Sequence, residues 1–499
     1  MKKAIPFYFL YLSIGCSIAF FACSQDTSAD LNSNISDSSQ DYIDGNANTP
    51  SNISGGNNEI VENPWIYTVD ETTSTFSVDA DGGSFANVRR YLNDNNLPPV
   101  NVIRTEELIN YFPMDYDFPQ GDDPIALNAE IAECPWTQGN QLLRIGIQGK
   151  EILHKDLPAT NFVFLIDVSG SMDQENKLDL LKQSFILFTD ELEADDRIAI
   201  VTYAGSSKLA LPSTSGSEKE TIKAAINSLG AGGGTAGAQG IITAYDIAQE
   251  NFIEGGNNRV ILGTDGDFNI GIYNQDELIS LIEEKRETGI FLTVLGVGTG
   301  NYQDEKMEQL ANNGNGTYEY IDNLEQAKKV FLHEPGKFHT VAKDVKVQIE
   351  FDKNQVEAYR LIGYENRLLS NPDFENDEKD AGEIGANQSI TAIYEIRPTN
   401  SSLGENTASI DFRYKKPDGS QSVPLTLNLS NNVTPFAQSS ENMRFTATVA
   451  GFGMLLRDSE YKGNLDWENL SEWLANATTF DPHGYRTQLM NLIEIAEGL

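Results

Sequence analysis

Oxygen-bearing side chains recur at three points of the chain where a strand pattern gives way to a helix pattern. In chain order these residues are Asp167, Ser169, Ser171, Thr235 and Asp265. The first three directly follow the apolar run at residues 161–166. Hydroxyl and carboxylate oxygens suit a hard divalent ion such as Mg²⁺, which takes about six oxygens at roughly 2.0–2.1 Å. The residue types therefore predict a metal site for Mg²⁺, with Mn²⁺ or Ca²⁺ also compatible.

The neutral hydroxyls in this set leave much of an ion's Lewis acidity unquenched. The carboxylates of Asp167 and Asp265 could offset the charge of the ion, but serine and threonine oxygens add no charge. An acidic group on another molecule would therefore gain by entering an open coordination position. This arrangement predicts a binding site that an Asp or Glu carboxylate of a protein partner completes. The alternative is that the hydroxyls only cap the helix that follows.

The order of these motifs resembles the metal-ion-dependent adhesion site of von Willebrand factor type A domains. The resemblance rests on Asp-x-Ser-x-Ser at residues 167–171, a glycine loop with a threonine at residues 230–237, and Thr-Asp-Gly at residues 264–266. It implies a type A fold and a set of metal ligands, some acting through water. That implied set is Asp167, Ser169, Ser171, Thr235 and Asp265.

The composition limits the classes of partner. The chain has 499 residues, enough for two to four domains, and 35 basic against 74 acidic residues give a net charge of −39. This balance repels nucleic acid and anionic membrane surfaces at long range, so we expect no nucleic-acid binding. Most of these charges also fit an acidic, well-solvated surface with no further role.

The first 22 residues have the pattern of a lipoprotein signal peptide. Lys2 and Lys3 precede an apolar stretch that ends at Ala22, and polar sequence begins at Cys23. We predict that residues 1–22 are removed and that Cys23 is lipidated. Cys16 is a second candidate, although it would leave an apolar strand on the mature chain. An uncleaved anchor is the other alternative, but the stretch is at the lower end of membrane-spanning length.

Removal of residues 1–22 would leave 33 basic and 74 acidic residues, a net charge of −41. Only Cys23 and Cys134 would remain, so lipidation of Cys23 excludes a disulfide. We expect Cys134 to be a small buried residue in a strand. Residues 23–63 are rich in Ser, Asn, Asp and Gly and predict a disordered tether with a reach of roughly 35 Å.

Residues 160–335 alternate between strand and helix patterns. Five short β-rich runs are separated by helical spacing, and they cover residues 162–166, 198–203, 260–263, 291–296 and 318–321. This alternation predicts an α/β fold with a doubly wound, mainly parallel, Rossmann-like sheet covered by helices on both faces. Ligand sites in such folds lie beyond the carboxyl ends of the strands, where Asp167 and Asp265 occur.

The two flanking segments have different patterns. Residues 64–150 predict an N-terminal α+β domain, and residues 341–499 predict a β-rich module that ends in helices. The order of the domains also allows strands before and after residues 160–335 to pair into one β-module, with the α/β domain inserted into it.

Much of the chain resembles one bacterial family, the von Willebrand type A lipoproteins with a dedicated N-terminal domain and a C-terminal domain of unknown function. The resemblance extends from about residue 64 to residue 499. Its segments are 75–79, 87–91, 104–113, 142–149, 264–271, 359–367 and 380–386.

No catalytic motif accompanies the predicted metal site. The four histidines lack metalloprotease spacing, and the two serines lack a Gly-x-Ser-x-Gly frame. We therefore expect a protein that is not an enzyme. The leading hypothesis is an envelope-anchored lipoprotein, most simply of the outer membrane, that binds a protein partner through its metal site. Whether it faces the periplasm or the exterior is left open. The alternative is an envelope scaffold or assembly factor in which the metal is chiefly structural.

Overall fold

In the computed structural model, the strand patterns of the described residues form three β-sheets. The structure describes residues 60–78, 81–234, 237–266, 275–299, 304–399, 407–417 and 419–499. The predicted signal peptide, the lipidation site Cys23 and nearly all of the tether lie outside these residues. None of the helices within the described ranges is long and apolar enough to span a membrane.

The described residues between 60 and 150 supply four strands and two α-helices. They are β1 (Ile66–Tyr67), β2 (Thr73–Ser77), α1 (Gly83–Asn93), α2 (Thr105–Asn110), β3 (Ile125–Glu133) and β4 (Gln141–Gly149). Strand β4 is buried along almost its whole length because it lies inside a sheet. Cys134 is buried as expected, one residue beyond the end of β3.

The central part alternates strands and helices, as the sequence predicts. Its strands are β5 (Thr160–Asp167), β6 (Arg197–Tyr203), β7 (Ser207–Ser215), β8 (Asn257–Thr264), β9 (Ile290–Val297) and β10 (Tyr318–Ile321). Its helices are α3 (Leu180–Glu191), α4 (Lys219–Asn227), α5 (Gly237–Glu250), α6 (Gln275–Glu287), α7 (Asp304–Asn313) and α8 (Leu324–Lys328). A π-type turn, Glu175–Asp179, precedes α3.

The central sheet has the strand order β10-β9-β8-β5-β6-β7. All of its neighbouring pairs are parallel except β6 with β7, which is antiparallel. One face packs against α3, α4 and α8, and the opposite face packs against α5, α6 and α7. The predicted α/β fold class is confirmed, and the antiparallel edge strand β7 is an addition that the sequence analysis missed.

The C-terminal part begins with strands and ends with helices. The strands are β11 (Thr340–Phe351), β12 (Val356–Ile362), β13 (Gly382–Gly385), β14 (Ser389–Pro398), β15 (Ala408–Lys415), β16 (Ser422–Leu429) and β17 (Val433–Thr434). The helices are α9 (Glu441–Leu456), α10 (Trp467–Ala475) and α11 (Tyr485–Glu497).

Strands from the two ends of the chain share both remaining sheets. One sheet has the order β1-β12-β14-β4-β3-β17, and the other has the order β13-β11-β15-β16 with β2 also paired to β11. Apolar side chains of the two sheets pack against each other in one core. Helices α1, α2, α9, α10 and α11 share a second core on the other face of the first sheet. The α/β domain is therefore inserted into a β-module built from both flanking segments.

The entry and exit of the inserted domain lie side by side. The backbone amide of Asn257, at the start of β8, donates to the carbonyl oxygen of Ala159 at 2.9 Å. The side-chain amide of the same residue donates to the carbonyl oxygen of Phe338, also at 2.9 Å. One asparagine thus holds together the segment that enters the domain and the segment that leaves it.

Buried ion pairs fix the inserted domain against the N-terminal helices. Arg89 of α1 forms a two-point contact with Asp322, with Nε at 2.9 Å from Oδ2. Arg104 contacts Glu308 of α7, and Arg367 lies 3.1 Å from the same carboxylate. Residues 57–499 accordingly form one compact unit.

Candidate metal centre

The parallel register of the central sheet brings two carboxylates to one edge. Strands β5 and β8 are neighbours with Ile166 opposite Gly263, so Asp167 at the end of β5 and Asp265 directly after β8 lie at the same carboxyl edge. Asp167 is fully buried, and Asp265 is 5% exposed. Residues at the carboxyl ends of neighbouring parallel strands are where ligand sites form in such folds.

The segment after β5 folds back so that its hydroxyls gather beside these carboxylates. The amide of Ser169 donates to Oδ1 of Asp167 at 2.8 Å. The Oγ atoms of Ser169 and Ser171 lie 3.0 Å apart. Adjacent ligands of an octahedron with bonds of about 2.1 Å are separated by about 3.0 Å, so the two hydroxyls are spaced as neighbouring ligands of Mg²⁺ would be.

The glycine loop packs against this segment through its backbone. The amide of Gly232 donates to the carbonyl oxygen of Val168 at 2.8 Å, and the amide of Gly170 donates to that of Gly233 at 3.1 Å. Gly233 has φ +95°, a left-handed conformation in which glycine carries no steric penalty. The loop therefore reaches the serine motif just before Thr235, which itself lies outside the described residues.

Burial dominates the electrostatics of Asp167. Loss of solvent raises the pKa of its carboxyl, hydrogen bonds from Ser169 oppose that shift, and the negative charge of Asp265 adds to it. Oδ2 of Asp167 also accepts a hydrogen bond from Thr264 Oγ1 at 3.4 Å. A carboxylate held in this environment gains from a nearby cation.

A lysine that the sequence analysis did not single out reaches the same place. Nζ of Lys177 lies 2.8 Å from Oδ2 of Asp265 and donates to the carbonyl oxygen of Ser171, also at 2.8 Å. The lysine is only 7% exposed. One sequence signal could have identified Lys177: it directly precedes the apolar helical stripe that starts at Leu178. A charged residue at such a core-facing position is buried and requires a partner of opposite charge or a hydrogen-bond acceptor.

Comparison with known proteins identifies the family. Family models match in three consecutive blocks: one described as von Willebrand factor over residues 55–144, one as von Willebrand factor type A domain over 161–333, and one as the C-terminal region of uncharacterized protein YfbK over 336–499. Uncharacterized protein YfbK of Escherichia coli (strain K12) is 43% identical, and the alignment covers 88% of this chain and 80% of that protein. The chain belongs to the bacterial YfbK family of von Willebrand type A proteins.

More distant likenesses share parts of this YfbK-family chain. Uncharacterized protein sll0103 of a Synechocystis species is 27% identical and covers 38% of this chain and 44% of its own length. A von Willebrand factor type A structure from Catenulispora acidiphila is 16% identical with a TM-score of 0.43, covering 76% of this chain and 91% of that one.

In this YfbK-family protein the structure brings four of the five predicted ligands together. Asp167, Ser169, Ser171 and Asp265 share one edge of the central sheet, whereas the position of Thr235 is not described. Within the described ranges, no group of three or more His, Cys, Asp or Glu side chains is placed to hold a metal ion. The set at this edge is of another kind, with two carboxylates and two hydroxyls, and its role as a metal centre stays a prediction.

Proposed function

We propose that this protein is an envelope-anchored lipoprotein that binds a protein partner through a divalent-metal site, which an Asp or Glu carboxylate of the partner completes. The observation that carries the proposal is the pair of serine hydroxyls 3.0 Å apart beside Asp167 and Asp265. Membership of a von Willebrand type A family supports a role in protein interaction.

The residues fit a hard cation by donor type and by spacing. In the proposal Ser169 and Ser171 bind the ion directly, and Asp167 and Asp265 provide compensating negative charge, with Thr235 as the fifth ligand that the family resemblance implies. When bound, Mg²⁺ supplies a Lewis-acid position that favours an anionic oxygen, and Mn²⁺ or Ca²⁺ would serve the same donors.

The exposure of the motif suits capture of a large partner. Gly170 and Ser171 are exposed, while Asp167 and Ser169 beneath them are buried. A carboxylate on the surface of another protein would therefore meet the hydroxyl side of the site first. The proposal assigns no catalytic step to this protein.

The proposed location is the bacterial cell envelope, most simply the outer membrane. Lipidation of Cys23 would anchor the chain, and residues 24–63 would hold the folded part some distance from the lipid surface. The strongly acidic composition disfavours direct contact with anionic lipid headgroups.

Chemical crosslinking on whole cells tests the binding function. A partner crosslinked in Mg²⁺ should be lost in EDTA and in Ser171→Ala, because that substitution removes an exposed hydroxyl of the site. Ser280→Ala is the matched control, since Ser280 is an exposed serine on helix α6 of the same domain. Circular dichroism of purified Ser171→Ala should match the unsubstituted protein.

The alternative, a scaffold whose metal is chiefly structural, makes the opposite prediction. It is favoured by the buried ion pairs that fix the type A domain to the N-terminal helices. If Ser171→Ala unfolds the protein, or if the same partner is crosslinked equally well in EDTA, adhesion through the metal is wrong.

A further inference from the structure

The metal centre contains a positive charge of its own. The ammonium group of Lys177 bonds to a carboxylate oxygen of Asp265 and to the backbone carbonyl of Ser171, each at 2.8 Å. Both partners belong to residues of the predicted ligand set. Lys177 therefore contacts the predicted ligand set at two points, the side chain of Asp265 and the backbone of Ser171.

The fold holds the lysine in this position. Lys177 belongs to the π-type turn Glu175–Asp179, which precedes α3 and directs the side chain towards the sheet edge. Its aliphatic stem lies against Gly298, just beyond the end of β9. A Cβ atom on that glycine would lie 2.5 Å from Cε and 2.6 Å from Cγ of Lys177, so the stem occupies the space that a side chain would need. Two separate segments of the domain, the turn before α3 and the end of β9, therefore position the lysine side chain.

We propose that Lys177 tunes the metal centre towards an anionic ligand by weakening the binding of the metal ion and strengthening that of the carboxylate that completes the site. This inference rests on the proposed function. The charge count gives the reason. Among the described residues of the site, two carboxylates balance a divalent cation, and the ammonium adds one positive charge to them. An ion must share Asp265 with a like charge, whereas an approaching carboxylate meets a positive site.

The two effects have opposite signs, which separates this role from a structural one. Replacement of Lys177 by methionine keeps an unbranched stem against Gly298 and removes the charge. We expect the Kd for Mn²⁺ to fall by about tenfold, because a buried like charge near the ion is removed. The tightening of Mn²⁺ binding by acetate should shrink, because the site has lost the charge that attracts an anion. Loss of a merely structural contact would weaken binding of the ion.

The measurement is a Mn²⁺ titration of the full folded protein, with free Mn²⁺ read from its electron paramagnetic resonance signal. The titration is repeated in acetate and in chloride at equal ionic strength, because coupling between the ion and the anion appears as a change in Mn²⁺ affinity. Lys182→Met is the matched control. It removes the same charge from α3, the helix that follows the turn of Lys177, where Lys182 donates to the carbonyl oxygen of Leu229 at 3.2 Å. If Lys177→Met does not fold, Lys177→Gln removes the charge and keeps an N–H donor.

The outcomes distinguish the two proposals. If the unsubstituted protein binds Mn²⁺ no better than Ser169→Ala, the proposed metal site is wrong, and the inference about Lys177 fails with it. If the unsubstituted protein binds Mn²⁺ and Lys177→Met binds it equally or more weakly, only the role of Lys177 is overturned. Tighter Mn²⁺ binding with an unchanged acetate effect contradicts the anion half of the inference. Tighter binding with a reduced acetate effect, absent from Lys182→Met, supports it.

Discussion

At the scale of single residues, Gly298 leaves the space that the side chain of Lys177 occupies. The glycine has φ +80°, and an added Cβ would lie 2.5 Å from the lysine Cε. Alanine at this position would be strained by its backbone and would also push the lysine stem away from Asp265. A substitution at Gly298 would therefore disturb both the local backbone and the contact between Lys177 and Asp265 in the predicted metal centre.

Gly298→Ala should lower the free energy of unfolding by about 1–2 kcal/mol through its backbone conformation and by a further 1–3 kcal/mol through overpacking. Gly121→Ala measures the backbone contribution alone, because Gly121 also has a positive φ of +70° but nothing lies within 4 Å of an added Cβ. Denaturant unfolding of both variants gives the comparison. Equal losses in the two variants would show that the lysine stem moves aside without cost.

The same residues show what the sequence reveals of the site. Asp167, Ser169 and Asp265 were predictable because their types match the chemistry of a hard ion and their positions follow strand patterns. Lys177 was missed because its partner, Asp265, is 88 residues away in the chain. Only the pairing of β8 with β5 and with β9 brings the two together, and no local pattern encodes these strand neighbours.

At the scale of elements, the turn between the type A domain and β11 carries a titratable group in a buried position. His339 follows the 3-10 turn Pro335–Phe338 and precedes β11. Burial lowers the pKa of His339 to about 4, and the positive charges of Arg259 and His154 contribute in the same direction. The folded protein therefore holds this imidazole neutral, whereas the unfolded chain would protonate it near its ordinary value of 6.5.

The lowered pKa of His339 predicts acid sensitivity. Between the unfolded value of 6.5 and the folded value of about 4, the unfolded state binds more protons, so the stabilisation is present above pH 6.5 and is lost as the pH falls. This one group should remove about 2 kcal/mol between pH 7 and pH 5. Denaturant unfolding at both pH values should show a smaller loss for His339→Phe. The exposed His483, changed to phenylalanine, is the control, and an unchanged slope in His339→Phe would contradict the assignment.

The elements themselves were largely predictable. The five β-rich runs expected in residues 160–335 all form strands, because alternating strand and helix patterns are strong local signals. The edge strand β7 was missed, since four of its nine residues are serine or threonine and its apolar run covers only residues 209–211. Its pairing with β6 supplies the hydrogen bonds that local propensity does not predict.

At the scale of the whole molecule, the chain interleaves an α/β domain with a β-module. Strand β14 pairs with β4 over eight residues, from Ser389 opposite Gln148 to Ile396 opposite Gln141. The sequence was compatible with this pairing but did not predict it. Alternating apolar residues in the N-terminal and C-terminal segments fit two separate sheets as well as sheets that both segments share. The register depends on contacts between residues more than two hundred positions apart, which no local pattern specifies.

The predicted anchor belongs to this scale as well. Cys23→Ser should abolish metabolic labelling with palmitate and move the protein from the membrane fraction to the soluble fraction, because the thiol is the proposed site of acylation. Cys16→Ser should keep both properties. If labelling persists in Cys23→Ser and disappears in Cys16→Ser, the acylated residue is Cys16, and the proposed start of the mature chain is wrong.

The bridge made by Asn257 between Ala159 and Phe338 has a kinetic consequence. Asn63 bonds to the carbonyl oxygen of Leu361, 298 residues away, so the β-module must close a very long loop. If the type A domain folds first, Asn257 joins its two ends and replaces roughly 180 residues of open coil by a short link. By the logarithmic dependence of closure entropy on length, this lowers the cost of closing the loop by about 0.8 kcal/mol. Folding of the inserted domain therefore accelerates assembly of the sheets that surround it.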